Sequence, residues 1–269
     1  MPVYERVWYY LLRLFTILTL VFLILPILVI VPLSFSDGSF LAYPIDRYSL
    51  RWYSNLFASD DWMSSIKSSM IVAPLATIVA TVLGTLASLG LVRGEFRGKA
   101  VLMAFLISPM IVPVIVVGVG MYLFFVTIHL SDSYLGLVLG HAALGAPFVV
   151  ITVVATLQGF NQNLIRASLS LGASPATTFF KITLPLIAPG VISGALFAFA
   201  TSFDDVVLAM FLAGPQQRTL PMAMFSGLRE NITPTIAAIA TILVVMSTCL
   251  LLAMEWLRGR SAAQAVGGV

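Results

Sequence analysis

The sequence predicts an all-α integral membrane protein with six transmembrane helices and both termini in the cytoplasm. The first observation is composition: 60% of the 269 residues are hydrophobic and 9% are charged, whereas soluble domains have about 45–50% and about 25%. The second is that six stretches without Asp, Glu, Lys or Arg are each at least 22 residues long, and about 20 residues of helix cross the hydrocarbon core. These features exclude a soluble fold, a disordered chain, a nucleic-acid-binding module and, because Cys249 is the only cysteine, a disulfide scaffold.

The charge-free stretches give the predicted spans in order. Helices are expected because a backbone in lipid must satisfy its own hydrogen bonds. The third and fourth stretches meet at Asp132, which predicts a hairpin with a short turn. Segment 37–63 is long enough for a short interfacial helix and contains Trp52 and Tyr53, residue types that favour the headgroup region. One transmembrane domain, 1–269, is predicted, with spans at about 12–34, 68–92, 101–129, 134–157, 182–203 and 232–254.

Proline and small residues interrupt these apolar spans. One interpretation is ordinary packing, since small residues let helices approach closely. The other is that kinks and close contacts permit rearrangement during transport. The prolines predicted inside helices are Pro74, Pro109, Pro113 and Pro147, and the small-residue pairs are Gly136 with Gly140 and Gly190 with Gly194.

The few charges predict the orientation, because cytoplasmic loops of membrane proteins carry an excess of Lys and Arg. With the amino terminus inside, the inner segments hold nine basic and three acidic residues, and the outer segments hold five basic and eight acidic residues. The formal net charge of +3 therefore divides into +6 inside and −3 outside. The excess of basic residues on the inner face therefore accounts for the net positive charge, and no anionic partner is needed to explain it.

Catalytic and nucleotide-binding motifs are absent from the sequence. The string Gly94 to Lys99 has the wrong spacing for a phosphate-binding loop. His129 and His141 lack the helical spacing of a metal pair and are expected to be packing or interface residues. Ser193 has no suitably placed histidine, and no paired carboxylates lie in the middle of a span. We therefore expect neither an enzyme nor a metal site, and a gradient-driven secondary transporter is disfavoured.

The segment 161–181, which we call the elbow, is the one substantial polar stretch on the predicted inner face. Asn161 or Asn163 is a suitable cap for a first short helix, and Gly172 can adopt the left-handed conformation that ends it. Ser174 is a suitable N-cap for a second helix. Two interpretations stay open from these residues: the helix-turn-helix docks a partner protein, or it folds back on its own bundle.

The elbow and the residues after it resemble the EAA loop of ABC importer permeases. The family pattern is E-A-A-x-x-x-G, a spacer, a hydrophobic residue, a variable residue and L-P. Here Ala167 and Ser168 stand at the small positions, Gly172 is the glycine, and Leu184-Pro185 ends the pattern. The pattern lies between the fourth and fifth predicted spans, as in six-helix permeases of the methionine, maltose and molybdate importers. The resemblance covers essentially the whole chain.

The resemblance implies a bacterial inner-membrane permease subunit that forms half of an importer's pathway. The implied partners are an ABC ATPase dimer, a second and paralogous permease, an extracytoplasmic solute-binding protein and the lipid bilayer. The chain itself would bind no cofactor, because ATP and Mg would be held by the ATPase. Closure of the ATPase dimer would rotate the permease halves between inward-facing and outward-facing states. The implied ATPase contacts are Arg166, Ala167, Ser168, Leu171, Gly172, Ala173, Phe179, Lys181 and Pro185.

Each implied contact has an expected role. Gly172 makes the tight turn, the small residues permit close approach, and Leu171 and Phe179 supply apolar contact. One position departs from the family: Arg166 stands where the motif has glutamate. A carboxylate early in a helix favours the helix dipole, and an arginine does not. The departure predicts either a changed partner residue on the ATPase or a second permease that carries the more typical motif.

Four short strings resemble permeases of polyamine importers, the spermidine/putrescine class. They are S-F-D-D-V-V from Ser202, A-G-P from Ala213, T-L-P from Thr219 and A-T-I-L from Ala240. Asp204 and Asp205, which we call the acidic pair, lie where the fifth predicted span meets the outer face, and would attract a cationic amine or dock a binding protein. Alternatively they mark the end of the span and pair with Arg218 or Arg229. Importers of opines, amino-acid derivatives, iron, thiamine and phosphonates use similar permeases, and a stand-alone secondary transporter is the remaining alternative.

Overall fold

The computed structural model describes residues 3–230 and 233–266, with side chains described for 4–229, 233–249 and 251–253. This part of the chain is mostly helical and contains no β-strand beyond one isolated bridge between Ser36 and Tyr48. The predicted all-α class is confirmed. The helices are α1 (Val3–Leu33), α2 (Arg51–Ala58), α3 (Asp60–Arg93), α4 (Lys99–Ile111), α5 (Val114–Thr127), α6 (Tyr134–Gln158), α7 (Asn163–Ser170), α8 (Pro175–Thr178), a π-helical turn (Phe179–Thr183), α9 (Leu184–Asp204), α10 (Val207–Leu212), α11 (Leu220–Glu230) and α12 (Pro234–Val266).

Five stretches of the described chain are long and apolar enough to cross a membrane. They are Tyr4–Leu33, Asp60–Arg93, Tyr134–Gln158, Pro175–Asp204 and Pro234–Ala253. They overlap the first, second, fourth, fifth and sixth predicted spans, although the predicted start at residue 232 lies outside the described residues. The helices extend beyond the charge-free stretches, because charged residues continue a helix once it has left the hydrocarbon. Asp60 and Lys67, for example, precede the predicted second span yet belong to α3.

The third predicted span, 101–129, is not one helix as expected. It consists of α4 and α5, whose axes meet at 105°. The break falls at Val112, which is extended (φ −70°, ψ 136°) and precedes Pro113. A proline disfavours the helical conformation at the residue before it and has no N–H to donate, so the helix stops there. Pro109 stays inside α4, but the expectation that Pro113 lies inside a helix is wrong.

Chain contacts group the residues into two compact units, Met1–Asp60 with Ser226–Thr248 and Asp61–Phe225 with Cys249–Val269. In the first unit, the short helix expected in segment 37–63 forms as α2. The indole N–H of Trp52 donates to the Gly38 carbonyl oxygen (3.2 Å), and the hydroxyls of Tyr53 and Ser34 are 2.8 Å apart. The single domain over 1–269 stays a prediction.

The core of the second unit is built mainly from α6 packed against α9. Val149 and Val153 of α6 are fully buried. Gly190 and Gly194 of α9 let the two backbones approach: a Cβ on Gly190 would overlap the Thr156 hydroxyl, and one on Gly194 would lie 2.6 Å from Cα of Val149. The second small-residue pair of the sequence is therefore a close helix–helix contact. This contact holds α6, which leads into the elbow, against α9, which ends at the acidic pair.

Candidate coupling elbow and acidic pair

A local side-chain hydrogen bond lies at the start of each helix of the elbow. The carboxamide oxygen of Asn161 accepts a hydrogen bond from the backbone N–H of Asn163 (3.0 Å) at the start of α7. The Ser174 hydroxyl oxygen accepts one from the N–H of Thr177 (3.2 Å), with Pro175 at the first position of α8. These bonds satisfy N–H groups that have no partner within a helix. The predicted cap at Ser174 is confirmed. The N-cap of α7 is Gln162, which makes no side-chain cap hydrogen bond, so the prediction of Asn161 or Asn163 at this position is wrong, although Asn161 bonds to the first N–H of the helix.

Gly172 makes the turn between the two helices. Its φ is +83°, in the left-handed region that glycine adopts without a Cβ penalty. The N–H of Gly172 donates to the Leu169 carbonyl (3.0 Å), and the N–H of Ala173 donates to the Ser168 carbonyl (3.1 Å). These two bonds form a Schellman motif. The predicted left-handed stop at Gly172 is confirmed.

Ser168 holds the two helices of the elbow together rather than offering a small exposed surface. Its side chain is buried, and its hydroxyl lies 2.8 Å from the Thr178 hydroxyl, which is also buried. It also donates to the Ile165 carbonyl at 2.9 Å. Ser168 therefore packs within the elbow, and its implied contact with an ATPase stays a prediction. Neighbouring Ala167 is exposed.

The exposed surface of the elbow is strongly apolar at two points. Leu171 is 88% exposed at the turn, and Phe180 is 65% exposed. Phe179, which was expected to supply contact, is half-buried, and its ring stands edge-on to Phe180 with centroids 5.0 Å apart. The aromatic doublet is visible in the sequence, but the structure shows that Phe180 is the more exposed of the two rings. The remaining implied contacts are half-buried at Ala173 and exposed at Arg166, Lys181 and Pro185.

A hydrogen bond links the end of α3 to the start of α9. The guanidinium of Arg93 donates through Nη2 to the Thr183 hydroxyl oxygen at 3.3 Å. Thr183 is buried and ends the π-helical turn. Single π-helical turns inside α-helices occur frequently at functional sites. The sequence does not single out Arg93, because a basic residue at the end of a span is typical of any membrane protein.

The acidic pair divides into one exposed and one enclosed carboxylate. Asp204 is exposed, whereas the Asp205 side chain is 10% exposed. One Asp205 oxygen, Oδ2, accepts a hydrogen bond from the backbone N–H of Ala209 at 3.1 Å and so caps α10. Burial raises the pKa of the Asp205 carboxyl, and this backbone hydrogen bond opposes the effect. Among the described residues of Asp61–Phe225, no arginine lies within 4.0 Å of either carboxylate, so the expected pairing with Arg218 is not found.

His141 lies behind the acidic pair and joins α6 to the end of α9. It is 1% exposed. Its Nδ1 is 3.1 Å from the Ser202 carbonyl oxygen and 3.0 Å from the Ser202 hydroxyl. Its Nε2 has no hydrogen-bond partner among the described residues and lies 3.9 Å from Oδ2 of Asp205. The packing role expected for His141 thus includes a polar contact that spacing alone did not indicate.

The family model for "Binding-protein-dependent transport system inner membrane component" matches residues 80–262, a range that contains both the elbow and the acidic pair. The chain belongs to this family. The permease is similar to the spermidine/putrescine transport system permease protein PotC of Haemophilus influenzae, with 33% identity over 229 residues (85% of this chain and 89% of the relative). It is 34% identical over 230 residues to the putrescine transport system permease protein PotI of Escherichia coli K12 (83% and 82%).

Solved structures of importer permeases share the fold of this permease. A chain of a bacterial ABC transporter that imports the acidic polysaccharide alginate superposes with a TM-score of 0.77 at 14% identity, covering 95% of this permease and 98% of that chain. A chain of the inward-facing MetNI methionine ABC transporter gives a TM-score of 0.60 at 18% identity, covering 76% and 99%. These likenesses support the fold alone, whereas the family match and the identities above 30% establish that the chain is an importer permease.

Proposed function

We propose that this permease forms half of the transmembrane pathway of an ATP-driven importer for a small cationic solute, in the first instance a polyamine such as putrescine or spermidine. The observation that carries the proposal is the 33% and 34% identity with permeases of spermidine/putrescine and putrescine transport systems, over more than four-fifths of both chains. The other half of the pathway is a second, paralogous permease. A binding protein delivers the solute, and a separate ATPase dimer holds ATP and Mg.

The proposed orientation places both termini and the elbow in the cytoplasm. If the chain crossed the membrane five times, its two ends would lie on opposite sides of the membrane. The basic residues Arg258 and Arg260 would then lie outside. Counting α4 and α5 as one bent span gives six and keeps these arginines inside, as the excess of basic residues in cytoplasmic loops requires. Their side chains lie outside the described part of the chain, so the support comes from their positions in the sequence.

In this proposal the elbow is the surface that the ATPase receives. Leu171 and Phe180 offer exposed apolar side chains of the kind that fill a groove on a partner. The Schellman turn at Gly172 and the hydroxyl pair of Ser168 and Thr178 hold them in fixed positions, which lowers the entropy cost of docking. The exposed Arg166 meets the ATPase where the family motif has glutamate, so the complementary residue there is acidic or neutral.

Within the acidic pair, we assign the charge that meets a cationic solute or the binding protein to Asp204. Its carboxylate is exposed at the end of α9, whereas Asp205 is enclosed and caps α10. An exposed carboxylate at the mouth of a pathway attracts cations through long-range electrostatics. Asp205 stabilises the backbone next to Asp204 through its hydrogen bond to α10.

The test is reconstitution of the permease with its cognate second permease, ATPase and binding protein in liposomes. We expect putrescine-loaded or spermidine-loaded binding protein to stimulate ATP hydrolysis and uptake. Stimulation by iron, thiamine or a phosphonate instead would refute the polyamine assignment, and ATP-independent uptake by the permease alone would refute the importer.

Single substitutions in the same assembly separate the two aspartates. Asp204→Asn is expected to lower uptake at limiting polyamine while leaving thermal stability unchanged, because it removes an exposed charge and no described hydrogen bond. Asp205→Asn is expected to lower thermal stability, because it weakens the cap of α10. Equal uptake by the wild type and Asp204→Asn at low ionic strength would show that Asp204 does not attract the solute.

A further inference from the structure

A groove lies where three apolar helices end together in the second unit. Its walls come from the end of α3 (Leu91 and Val92), the start of α4 (Met103) and the end of α6 (Val154), and its volume is about 540 Å³. These helix ends are also the ends of three candidate membrane-crossing stretches. The groove is therefore at the boundary between hydrocarbon and headgroups, with an apolar interior.

One cationic side chain, Lys99, lines this apolar groove. Lys99 is half-buried, and within the described residues no carboxylate lies within 4.0 Å of its ammonium group. Arg93, at the end of α3, does not line the groove and donates to Thr183. A lysine lays its methylene stem along apolar surface and keeps its ammonium group at the water and headgroup level, where it can meet an anion. The side chain of Gln158 adds a hydrogen-bonding group to the lining.

The lining specifies the chemistry of the occupant. A free phosphate would neutralise Lys99 but leave the apolar walls uncovered. A zwitterionic lipid would cover the walls, but its own headgroup cation would compete with Lys99 for its phosphate, whereas an anionic lipid has no such cation. We propose that the groove binds an anionic phospholipid, with its headgroup phosphate at Lys99 and an acyl chain along Leu91, Met103 and Val154. Basic pockets between transmembrane helices on the cytoplasmic side favour such headgroups. Because Gln158 is the last residue of α6, the lipid stabilises the helix end that leads into the elbow.

The test uses the full-length permease, purified in detergent with its partner subunits and stripped of lipid. Dioleoylphosphatidylglycerol is titrated while the melting temperature and the number of retained lipids are followed, the latter by native mass spectrometry. Dioleoylphosphatidylcholine and inorganic phosphate are titrated in parallel. We expect phosphatidylglycerol to raise the melting temperature and the other two to have no comparable effect. Lys99→Gln is expected to weaken phosphatidylglycerol binding about fivefold, the effect of one basic residue near an anionic surface.

Two further variants make the test specific to the groove. Lys67→Gln removes an exposed lysine at the opposite end of α3 and is expected to leave phosphatidylglycerol binding unchanged. Lys99→Arg keeps the charge and is expected to preserve the stabilisation. The proposal is overturned if phosphatidylcholine stabilises as strongly as phosphatidylglycerol, if phosphate alone gives the same shift, or if Lys99→Gln binds phosphatidylglycerol as the wild type does.

Discussion

Replacing Gly172 is expected to weaken docking of the elbow on the ATPase without unfolding the permease. The residue has φ +83°, and the left-handed conformation costs other L-residues roughly 1–2 kcal/mol. No heavy atom lies within 4 Å of a Cβ built on Gly172, so a new side chain meets no steric clash and the cost comes from the backbone alone. Because the turn lies in an exposed segment, the packed core of α6 and α9 is not disturbed.

The size of the effect follows from this backbone cost. A change of about 1–2 kcal/mol alters the ratio of turned to unturned elbow by a factor of about 5–30. If the ATPase binds only the turned form, docking weakens by at most that factor. Gly172→Ala is therefore expected to lower ATP hydrolysis stimulated by loaded binding protein, and Gly172→Val to lower it further because a β-branched residue disfavours this conformation more strongly. Gly172→Asn is expected to be better tolerated, since asparagine is found at this position of helix ends.

The assay is stimulated ATP hydrolysis by the reconstituted importer, with a glycine outside the elbow as the matched control. Gly98 has φ +92°, and a Cβ there also meets no heavy atom within 4 Å. Gly98→Ala therefore carries the same backbone cost in a different loop and is expected to keep stimulation. Normal stimulation in Gly172→Val, or an equal loss in Gly98→Ala, would refute the docking role of the elbow.

Two further predictions test the close contact between α6 and α9 and the hydroxyl pair of the elbow. Gly194→Ala is expected to destabilise the permease by about 1–3 kcal/mol, because the added Cβ overpacks α9 against α6. The measurement is the thermal melting temperature in detergent. The control, Gly120→Ala, should not lower it, because its Cβ meets nothing within 4 Å. Ser168→Ala and Thr178→Val should each weaken stimulated ATP hydrolysis, because either change breaks the hydroxyl pair. The double variant should be hardly worse than either single one, and fully additive losses would show that the two hydroxyls do not act together.

The sequence predicted five of the spans well because a charge-free stretch of sufficient length has few alternatives in lipid. It failed at the third span because hydropathy does not distinguish a straight apolar helix from a bent one. Residues 100–131 are free of charges on both sides of Pro113, so composition gave no sign of a break. Pro109 and Pro113 looked equivalent in the sequence, yet only the second ends a helix.

The elbow shows which parts of a functional site can be predicted from the sequence. The cap at Ser174 and the turn at Gly172 depend on neighbouring residues, so local chemistry was enough to predict them. The start of α7 was predicted to within one or two residues, because Asn161 bonds to its first N–H while Gln162 holds the N-cap position. The contact of Arg93 with Thr183 and that of His141 with Ser202 join residues 90 and 61 positions apart. No periodicity in a single sequence reports such a pairing.

The continuity of the helix after the elbow bears on how docking would move the membrane part of the permease. A docking element transmits a displacement only if it does not deform, and the hydrogen bond between Ser168 and Thr178 ties α7 to α8. From Pro175 to Asp204 the chain is one helical stretch through α8, the π-helical turn and α9. A push on Leu171 or its neighbours would therefore reach the acidic pair along one continuous helical stretch. On the proposed function, no separate linker is needed between the ATPase and the residue that meets the solute.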